Sequence, residues 1–150
     1  MKYNRIIFVC EDNTCRSPMA EAIMKQINRS EGLTVSSRGV LVLFPEPYNP
    51  KAASVLRSNG IIMENGESAQ LEASDLGRNV LVLTMNAEEK NKLLNNYRDA
   101  ENIYTITEFA GGTGDIPDPY GADMEAYAHF YEVLKQWIER VEDRIYNTDI

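Results

Sequence analysis

The sequence predicts a single α/β domain in which helices cover both faces of a parallel β-sheet. Segments with strand character alternate with segments of helical spacing along the 150 residues. The apolar run at 80–83 does not alternate with polar residues, which is typical of a strand buried on both faces. Strands separated by helices return parallel through right-handed crossovers. We therefore expect one three-layer domain that spans residues 1–150.

The first strand is predicted at 6–9, and a loop at 10–16 leads into the first helix. Ser17 suits the N-cap of that helix, Pro18 the first helical position, and Glu21 places a negative charge near the positive end of the helix dipole. Apolar residues then recur at helical spacing, and Gly32 marks the end. These apolar residues are Met19, Ala20, Ile23, Met24 and Ile27.

Further strands are predicted at 33–37, 80–83 and 103–106. The segment 40–50 contains three prolines and is predicted to be a loop, and Asn49-Pro50 starts a helix that ends at Asn59-Gly60. A short helix is predicted around 68–76, and the capping-box pattern at 86–89 opens a helix that runs to Tyr97. The final helix carries an apolar stripe that faces the core, with His129 on the surface and Trp137 at the core edge. The stripe consists of Met124, Tyr127, Tyr131, Leu134, Ile138, Val141 and Ile145.

Composition excludes several classes of function. A net charge of −8 argues against nucleic-acid binding, because phosphate contacts need a basic face. The chain has two cysteines and one histidine, too few for a closed zinc site. No cofactor is predicted, and no metal is predicted because an arginine and loop dipoles can do the work of a cation. Neither a membrane span nor a signal-peptide pattern is apparent, which predicts no membrane partner and a cytoplasmic location. A structural disulfide is uncommon in that compartment, which favours reactive roles for the cysteines.

The loop that follows the first strand concentrates the chemistry. Cys10 lies where the strand ends, and Arg16 lies where the helix begins. A loop this short can turn its backbone N–H groups inward and form an anion-binding nest at a helix N-terminus. A thiol in such a nest is expected to be ionised at neutral pH, and an arginine can bind two oxygens of one phosphate. The sequence therefore predicts covalent phosphoryl transfer.

The pattern Cys-x5-Arg-Ser, followed by Pro-Met-Ala-Glu, resembles the low-molecular-weight protein tyrosine phosphatase family. A second match is the Asp-Pro-aromatic loop within 115–121, where Asp118 fits the position of the family's general acid. The segment 37–39 looks like the family's Ser-x-Gly turn, and 83–85 looks like the end of its third strand. The resemblance covers nearly the whole chain and implies the strand order 2-1-3-4. Cys10 would then lie at the carboxyl end of a strand where the topology reverses.

The resemblance also implies a mechanism. Cys10 attacks phosphorus and forms a phosphocysteine, Arg16 and the loop N–H groups hold the phosphoryl oxygens, and Asp118 serves as general acid and then base. Ser17 donates a hydrogen bond to the sulfur, and Asn13 supplies a left-handed residue for the curled loop. The expected substrates are phosphorylated proteins, with inorganic phosphate as product. The predicted phosphate-binding set is Glu11, Asp12, Asn13, Thr14, Cys15, Arg16 and Ser17.

The chain departs from the family pattern in three respects. The family's histidine that supports the loop asparagine has no counterpart near 65–68, and two other departures lie beside the site. Asp12 stands where the family commonly has glycine, and it follows Glu11. Carboxylates there oppose anion binding, but side chains that point outward would form an acidic rim suited to cationic surroundings. Asn86 stands where an acidic residue often follows the methionine of the third strand, Met85 in this chain.

Several alternatives remain open from the sequence. Thr14 and the surrounding Asn-Thr-Cys-Arg-Ser-Pro-Met-Ala-Glu resemble the bacterial protein-arginine phosphatase branch, so the substrate is either phosphotyrosine or phosphoarginine. Cys15 either packs against the sheet or captures an oxidised Cys10 as a disulfide. An arsenate reductase shares the loop but needs further cysteines for its relay. A catalytically weak phosphate-binding module, motivated by Asp12, is the alternative outside enzymes.

Overall fold

The computed structural model describes residues 2–64, 66–119 and 121–148. Four parallel strands form the sheet in the order β2-β1-β3-β4, which confirms the predicted fold class and strand order. Their bounds are β1 (Arg5–Cys10), β2 (Thr34–Gly39), β3 (Val80–Thr84) and β4 (Ile103–Thr105). β2 pairs with one edge of β1, and β3 pairs with the other edge. The connections on the two sides of β1 therefore run in opposite directions across the sheet. The carboxyl end of β1 therefore lies at a topological switch point.

The helices lie on both faces of the sheet. They are α1 (Arg16–Ile27), α2 (Pro50–Ser58), α3 (Ala87–Asn96), α4 (Ile106–Phe109) and α5 (Met124–Asn147). The larger apolar core packs α1, α2 and α5 against one face, and a smaller core packs Leu93 of α3 against the other. None of the helices in the described ranges is long and apolar enough to cross a membrane.

The apolar stripe of α5 is buried as predicted, apart from its first residue. Tyr127, Leu134, Ile138 and Val141 are fully buried, whereas Met124 in the first turn is 42% exposed. His129 is exposed and Trp137 is half-buried at the edge of the core, as the sequence predicts.

The first turn of α1 differs from the prediction. Cys15, without a side-chain cap, takes the N-cap position that the sequence gives to Ser17, and Arg16 is the first helical residue. Glu21 lies beyond the first turn, where it accepts hydrogen bonds from Ser37 at 2.7 Å and Lys25 at 2.6 Å. Ser17 serves the loop instead of the helix end, because its hydroxyl faces the Cys10 sulfur.

Three further segments differ from the sequence-based expectation. The strand expected at 103–106 ends at Thr105, and Ile106 begins α4. The helix expected at 68–76 is reduced to a single 3₁₀ turn at Ala73–Asp75, because the preceding backbone pairs with Gly39 at the end of β2. The segment 37–39 is the end of β2 and not a turn. A side chain at Gly39 would lie 3.2 Å from Asn13 Cβ, so glycine there lets β2 approach the loop after β1 closely. Tyr120, the aromatic residue of the Asp118 motif, lies outside the described residues.

Candidate active site

The loop between β1 and α1 is held from outside by the segment that follows β2. The Val40 N–H donates to the carbonyl of Cys10 at 3.0 Å, and the Leu41 N–H donates to that of Glu11 at 3.1 Å. The Asn49 N–H, at the start of α2, donates to the carbonyl of Thr14 at 2.7 Å. Three carbonyls of the loop therefore point outward, toward its neighbours. This arrangement is compatible with a loop whose N–H groups line the inner side.

Asn13 is the internal support of the loop. It adopts the left-handed conformation predicted from the sequence, with φ of 58°. Its side-chain amide donates to the hydroxyls of Ser17 at 2.8 Å and Ser37 at 3.0 Å, and its side-chain oxygen accepts from the Ala69 N–H at 2.9 Å. Asn13 is fully buried, so all these bonds are shielded from water. They fix the loop to β2 and to the segment before the 3₁₀ turn.

Cys10 lies at the floor of the loop and is fully buried. Its Sγ is 3.0 Å from Ser17 Oγ. Either atom can donate in this pair; Ser17 Oγ also accepts from Asn13 and lies 3.4 Å from the Arg38 carbonyl, to which it can donate. Burial raises the pKa of the Cys10 thiol, while the Arg16 charge and the hydrogen bonds to Ser17 oppose that shift. Burial therefore opposes the ionised thiol that the sequence predicts, whereas Arg16 and Ser17 favour it, and ionisation of Cys10 stays a prediction.

Arg16 lies at the start of α1 with its guanidinium between two carboxylates. Its Nη2 donates to Glu89 Oε2 at 3.0 Å, and both side chains are buried. The same nitrogen lies 3.7 Å from Asp118 Oδ2, and the Asp118 side chain is 49% exposed. The structure thus brings together Cys10, Arg16 and Asp118, although more than one hundred positions separate Arg16 from Asp118.

Glu89 is the residue of the site that the sequence interpretation missed. The pattern at 86–89 suggested a reciprocal capping box, but only half of it forms: Asn86 accepts from the Glu89 N–H at 2.8 Å. The Glu89 carboxylate turns inward, accepts from the Met85 N–H at 3.0 Å and pairs with Arg16. Burial raises the pKa of Glu89, and the charge of Arg16 opposes the shift. Glu89, four residues after Met85, thus places a buried carboxylate against Arg16.

We expect Glu89→Gln to lower the free energy of unfolding by about 3 kcal/mol, because it removes the buried partner of Arg16 and leaves only the half-exposed Asp118 carboxylate, 3.7 Å away, to balance its charge. Urea titration followed by circular dichroism measures this loss. Glu88→Gln is the matched control, since its side chain is 79% exposed and lies one position earlier in the same helix. The control should change stability by less than about 0.5 kcal/mol. Equal losses in the two variants would show that the Arg16 pair contributes nothing specific.

The two acidic residues of the loop point in different directions. Both carboxylate oxygens of Glu11 lie 3.2 Å from Nζ of Lys92 on α3, so Glu11 belongs to an outer rim, as expected. Asp12 turns toward the loop, and its Oδ1 accepts from the Thr14 N–H at 3.1 Å. The same oxygen is 4.0 Å from Cys10 Sγ. Glu11 therefore meets the condition for an acidic rim, whereas this oxygen of Asp12 does not.

Cys15 and Thr14 complete the loop. Both are nearly buried, at 3% and 8% exposed. Burial raises the pKa of the Cys15 thiol to about 12, with the neighbouring Cys10 adding to the shift. Tyr127 of α5 lies beside it, and burial raises the pKa of its phenol to about 12. Cys15 is accordingly packed as a neutral thiol in this structure.

The mouth beside the loop is acidic. A cavity next to Arg16 is lined by five carboxylates and two cations within the described residues. The carboxylates are Glu11, Glu88, Glu89, Asp115 and Asp118, and the cations are Arg16 and Lys92. Lys92 is already shared between Glu11 and Glu88. A ligand that enters this cavity therefore meets an excess of negative charge around one guanidinium.

Comparison with known proteins agrees with this geometry. The family model described as low molecular weight phosphotyrosine protein phosphatase matches residues 5–148. A low molecular weight protein-tyrosine-phosphatase PtpB from Staphylococcus haemolyticus is 35% identical over 130 residues, 87% of this chain and 91% of the relative. A protein-arginine-phosphatase from Geobacillus stearothermophilus is 33% identical over 143 residues, 94% of this chain and 95% of the relative.

A solved structure is similar across almost the whole chain. It is the YwlE arginine phosphatase, in a cysteine-to-serine variant with a phosphorylated active-site serine. The TM-score is 0.89, with 30% identity and 97% of each chain covered. Sequence, fold and loop geometry therefore lead to one conclusion: this chain belongs to the low-molecular-weight phosphotyrosine protein phosphatase family.

Proposed function

We propose that this chain is a cysteine-dependent protein phosphatase in which Cys10 is the nucleophile. The observation that carries the proposal is the position of Cys10 Sγ at the floor of the loop, 3.0 Å from Ser17 Oγ, in a site that also holds Arg16. The thiolate forms a bond to phosphorus while the bond to the leaving group breaks. Water then cleaves the phosphocysteine and releases phosphate.

The raised pKa of the Cys10 thiol sets a requirement on this step. The thiolate is the nucleophile, so in the proposed mechanism the thiol gives its proton to solvent water before the sulfur attacks phosphorus. Arg16 and Ser17 favour the thiolate, and Asn13 holds Ser17 in place. In the proposed mechanism these contacts stabilise the sulfur anion once its proton has gone.

Arg16 and Asp118 take the two remaining roles in the proposal. Arg16 binds phosphoryl oxygens together with the N–H groups of the loop and stabilises charge in the transition state. Asp118 donates its proton to the leaving group and then, as a carboxylate, accepts a proton from the attacking water. Its half-exposed side chain, 3.7 Å from the Arg16 guanidinium, supports this assignment because it borders the phosphate position and faces solvent.

The comparison with the YwlE variant supports a covalent intermediate. In that protein a serine that replaces the active-site cysteine carries a phosphoryl group. Cys10 is the last residue of β1, one of the two inner strands of the same fold. The arsenate reductase alternative lacks comparable support, since the three relatives described above are all named as phosphatases.

We further propose that phosphoarginine is preferred over phosphotyrosine. The acidic mouth supports this preference. An aryl phosphate brings only negative charge, whereas the guanidine of phosphoarginine brings N–H donors that carboxylates accept. Thr14, nearly buried beside Cys15, adds a polar group where a hydrocarbon wall would suit a phenyl ring better. The protein-arginine-phosphatase relative supports the same choice.

Parallel kinetics on two peptides of identical sequence, one with phosphoarginine and one with phosphotyrosine, test this proposal. We expect a higher kcat/KM on phosphoarginine. Thr14→Ile should shift the ratio of the two kcat/KM values toward phosphotyrosine by about tenfold, since one hydroxyl or methyl in a pocket is worth about 1–3 kcal/mol. Parallel changes on both substrates would assign Thr14 to loop stability alone. Turnover of phosphotyrosine only would overturn the preference but leave the phosphatase proposal intact.

A further inference from the structure

Asp12 places a carboxylate where the loop is expected to receive a phosphoryl oxygen. Its Oδ1 accepts from the Thr14 N–H at 3.1 Å and lies 4.0 Å from Cys10 Sγ. For attack, phosphorus must come within about 3–3.5 Å of the sulfur. The equatorial oxygens of that phosphoryl group then lie slightly farther from the sulfur, next to the loop N–H groups. Asp12 Oδ1 lies at such a distance from the sulfur and also accepts from a loop N–H group, as an equatorial phosphoryl oxygen would.

We propose that Asp12 is an internal competitor for the phosphoryl site and thereby determines its affinity for phosphate. Substrate binding must displace the carboxylate from the Thr14 N–H, because one N–H group cannot serve two anions at full strength. Displacement is feasible for Asp12, which is exposed to solvent as a whole residue. The carboxylate remains close after displacement, and two negative charges a few ångströms apart repel each other.

Glu11 cannot take over this role. Its carboxylate is held by Lys92, outside the loop, at 3.2 Å from both oxygens. The adjacent Asp12 is directed inward to the Thr14 N–H. Two neighbouring residues of the same charge thus have different consequences. Glu11 belongs to the rim, whereas Asp12 reaches the position of the reacting group.

The competition at Asp12, which rests on the proposed phosphatase function, selects among leaving groups. A displaced Asp12 carboxylate can accept hydrogen bonds from a leaving group that carries N–H donors, whereas a phenolic leaving group offers it none. Asp12 should also lower the affinity of the loop for inorganic phosphate, the reaction product. The consequence for phosphate requires only that the loop binds phosphoryl groups, so it is independent of whether arginine or tyrosine is the substrate residue.

The experiment measures binding of inorganic phosphate, and of orthovanadate as a second probe, to the full chain by isothermal titration calorimetry at constant ionic strength. We expect Asp12→Ala to lower the Kd for both anions by about tenfold. Asp12→Asn keeps an acceptor for the Thr14 N–H but removes the charge, and should give a smaller gain of about threefold. Glu46→Gln is the matched control, because it removes one charge from an exposed residue of the segment that flanks the loop. Its Kd should stay within twofold of the unchanged protein.

The opposite result has a clear structural meaning. If Asp12 only braces the loop through the Thr14 N–H, then Asp12→Ala weakens phosphate binding, and the competitor inference is overturned. An unchanged Kd overturns it as well, because the carboxylate then has no effect on the anion. If Asp12→Ala fails to fold, Asp12→Asn replaces it. A lower Kd of Asp12→Asn supports the competitor inference, and a higher or unchanged Kd overturns it. Peptide kinetics on Asp12→Asn add the selectivity test, where we expect the ratio of kcat/KM to shift toward phosphotyrosine by at least threefold.

Discussion

Cys10→Ser is expected to lower kcat on phosphopeptides by more than about 10⁴-fold, because the loss of a nucleophile removes the covalent path. The hydroxyl of serine is a far weaker nucleophile than a thiolate at neutral pH. Single-turnover kinetics with a continuous phosphate assay measure the loss. The Cys10→Ser protein should accumulate a phosphoserine when it is incubated with substrate, and intact-mass spectrometry detects this product.

The control for this variant is the fold itself. The Cys10 sulfur contacts Ser17 Oγ and Asp12 Oδ1, and a serine hydroxyl can form hydrogen bonds with the same partners. The unfolding midpoint and the affinity for inorganic phosphate should therefore stay close to those of the unchanged protein. Activity within tenfold of the unchanged protein, with the fold intact, would remove the covalent mechanism.

Asp118→Asn should produce a loss that depends on the leaving group. A phenolate or guanidine that needs a proton should depart at least about 100-fold more slowly, since general acid catalysis contributes about 10²–10⁴-fold. A nitrophenolate needs little protonation, and its release should slow by less than about tenfold. The measurement is kcat/KM on a phosphotyrosine peptide and on para-nitrophenyl phosphate in the same preparation.

Asp115→Asn is the matched variant for that experiment. Asp115 lines the same cavity three positions earlier, where its carboxylate accepts from the Ala87 N–H at 3.1 Å. Its replacement should change both substrates by the same factor, because it supports backbone and does not transfer a proton in the proposed mechanism. If Asp118→Asn also affects both substrates equally, Asp118 has a structural role.

The sequence alone predicted those parts of the molecule that depend on neighbouring residues. The β1–loop–α1 unit, the left-handed Asn13 and the buried run of β3 follow from local patterns, because strand burial, helix periodicity and turn chemistry act over a few residues. The α5 stripe is of the same kind. The strand order needed the family resemblance, since alternation of strands and helices permits more than one order.

The tertiary structure decided where polar and charged side chains of the site point. Local rules assigned Glu89 to a capping box and Ser17 to an N-cap, yet Glu89 pairs with Arg16, 73 positions away in sequence, and Ser17 faces Cys10. A side chain at a helix end gains only a modest hydrogen bond. A charged group that is buried without a partner of opposite charge has a large desolvation cost, so Glu89 pairs with the buried Arg16. The long-range contact therefore prevails.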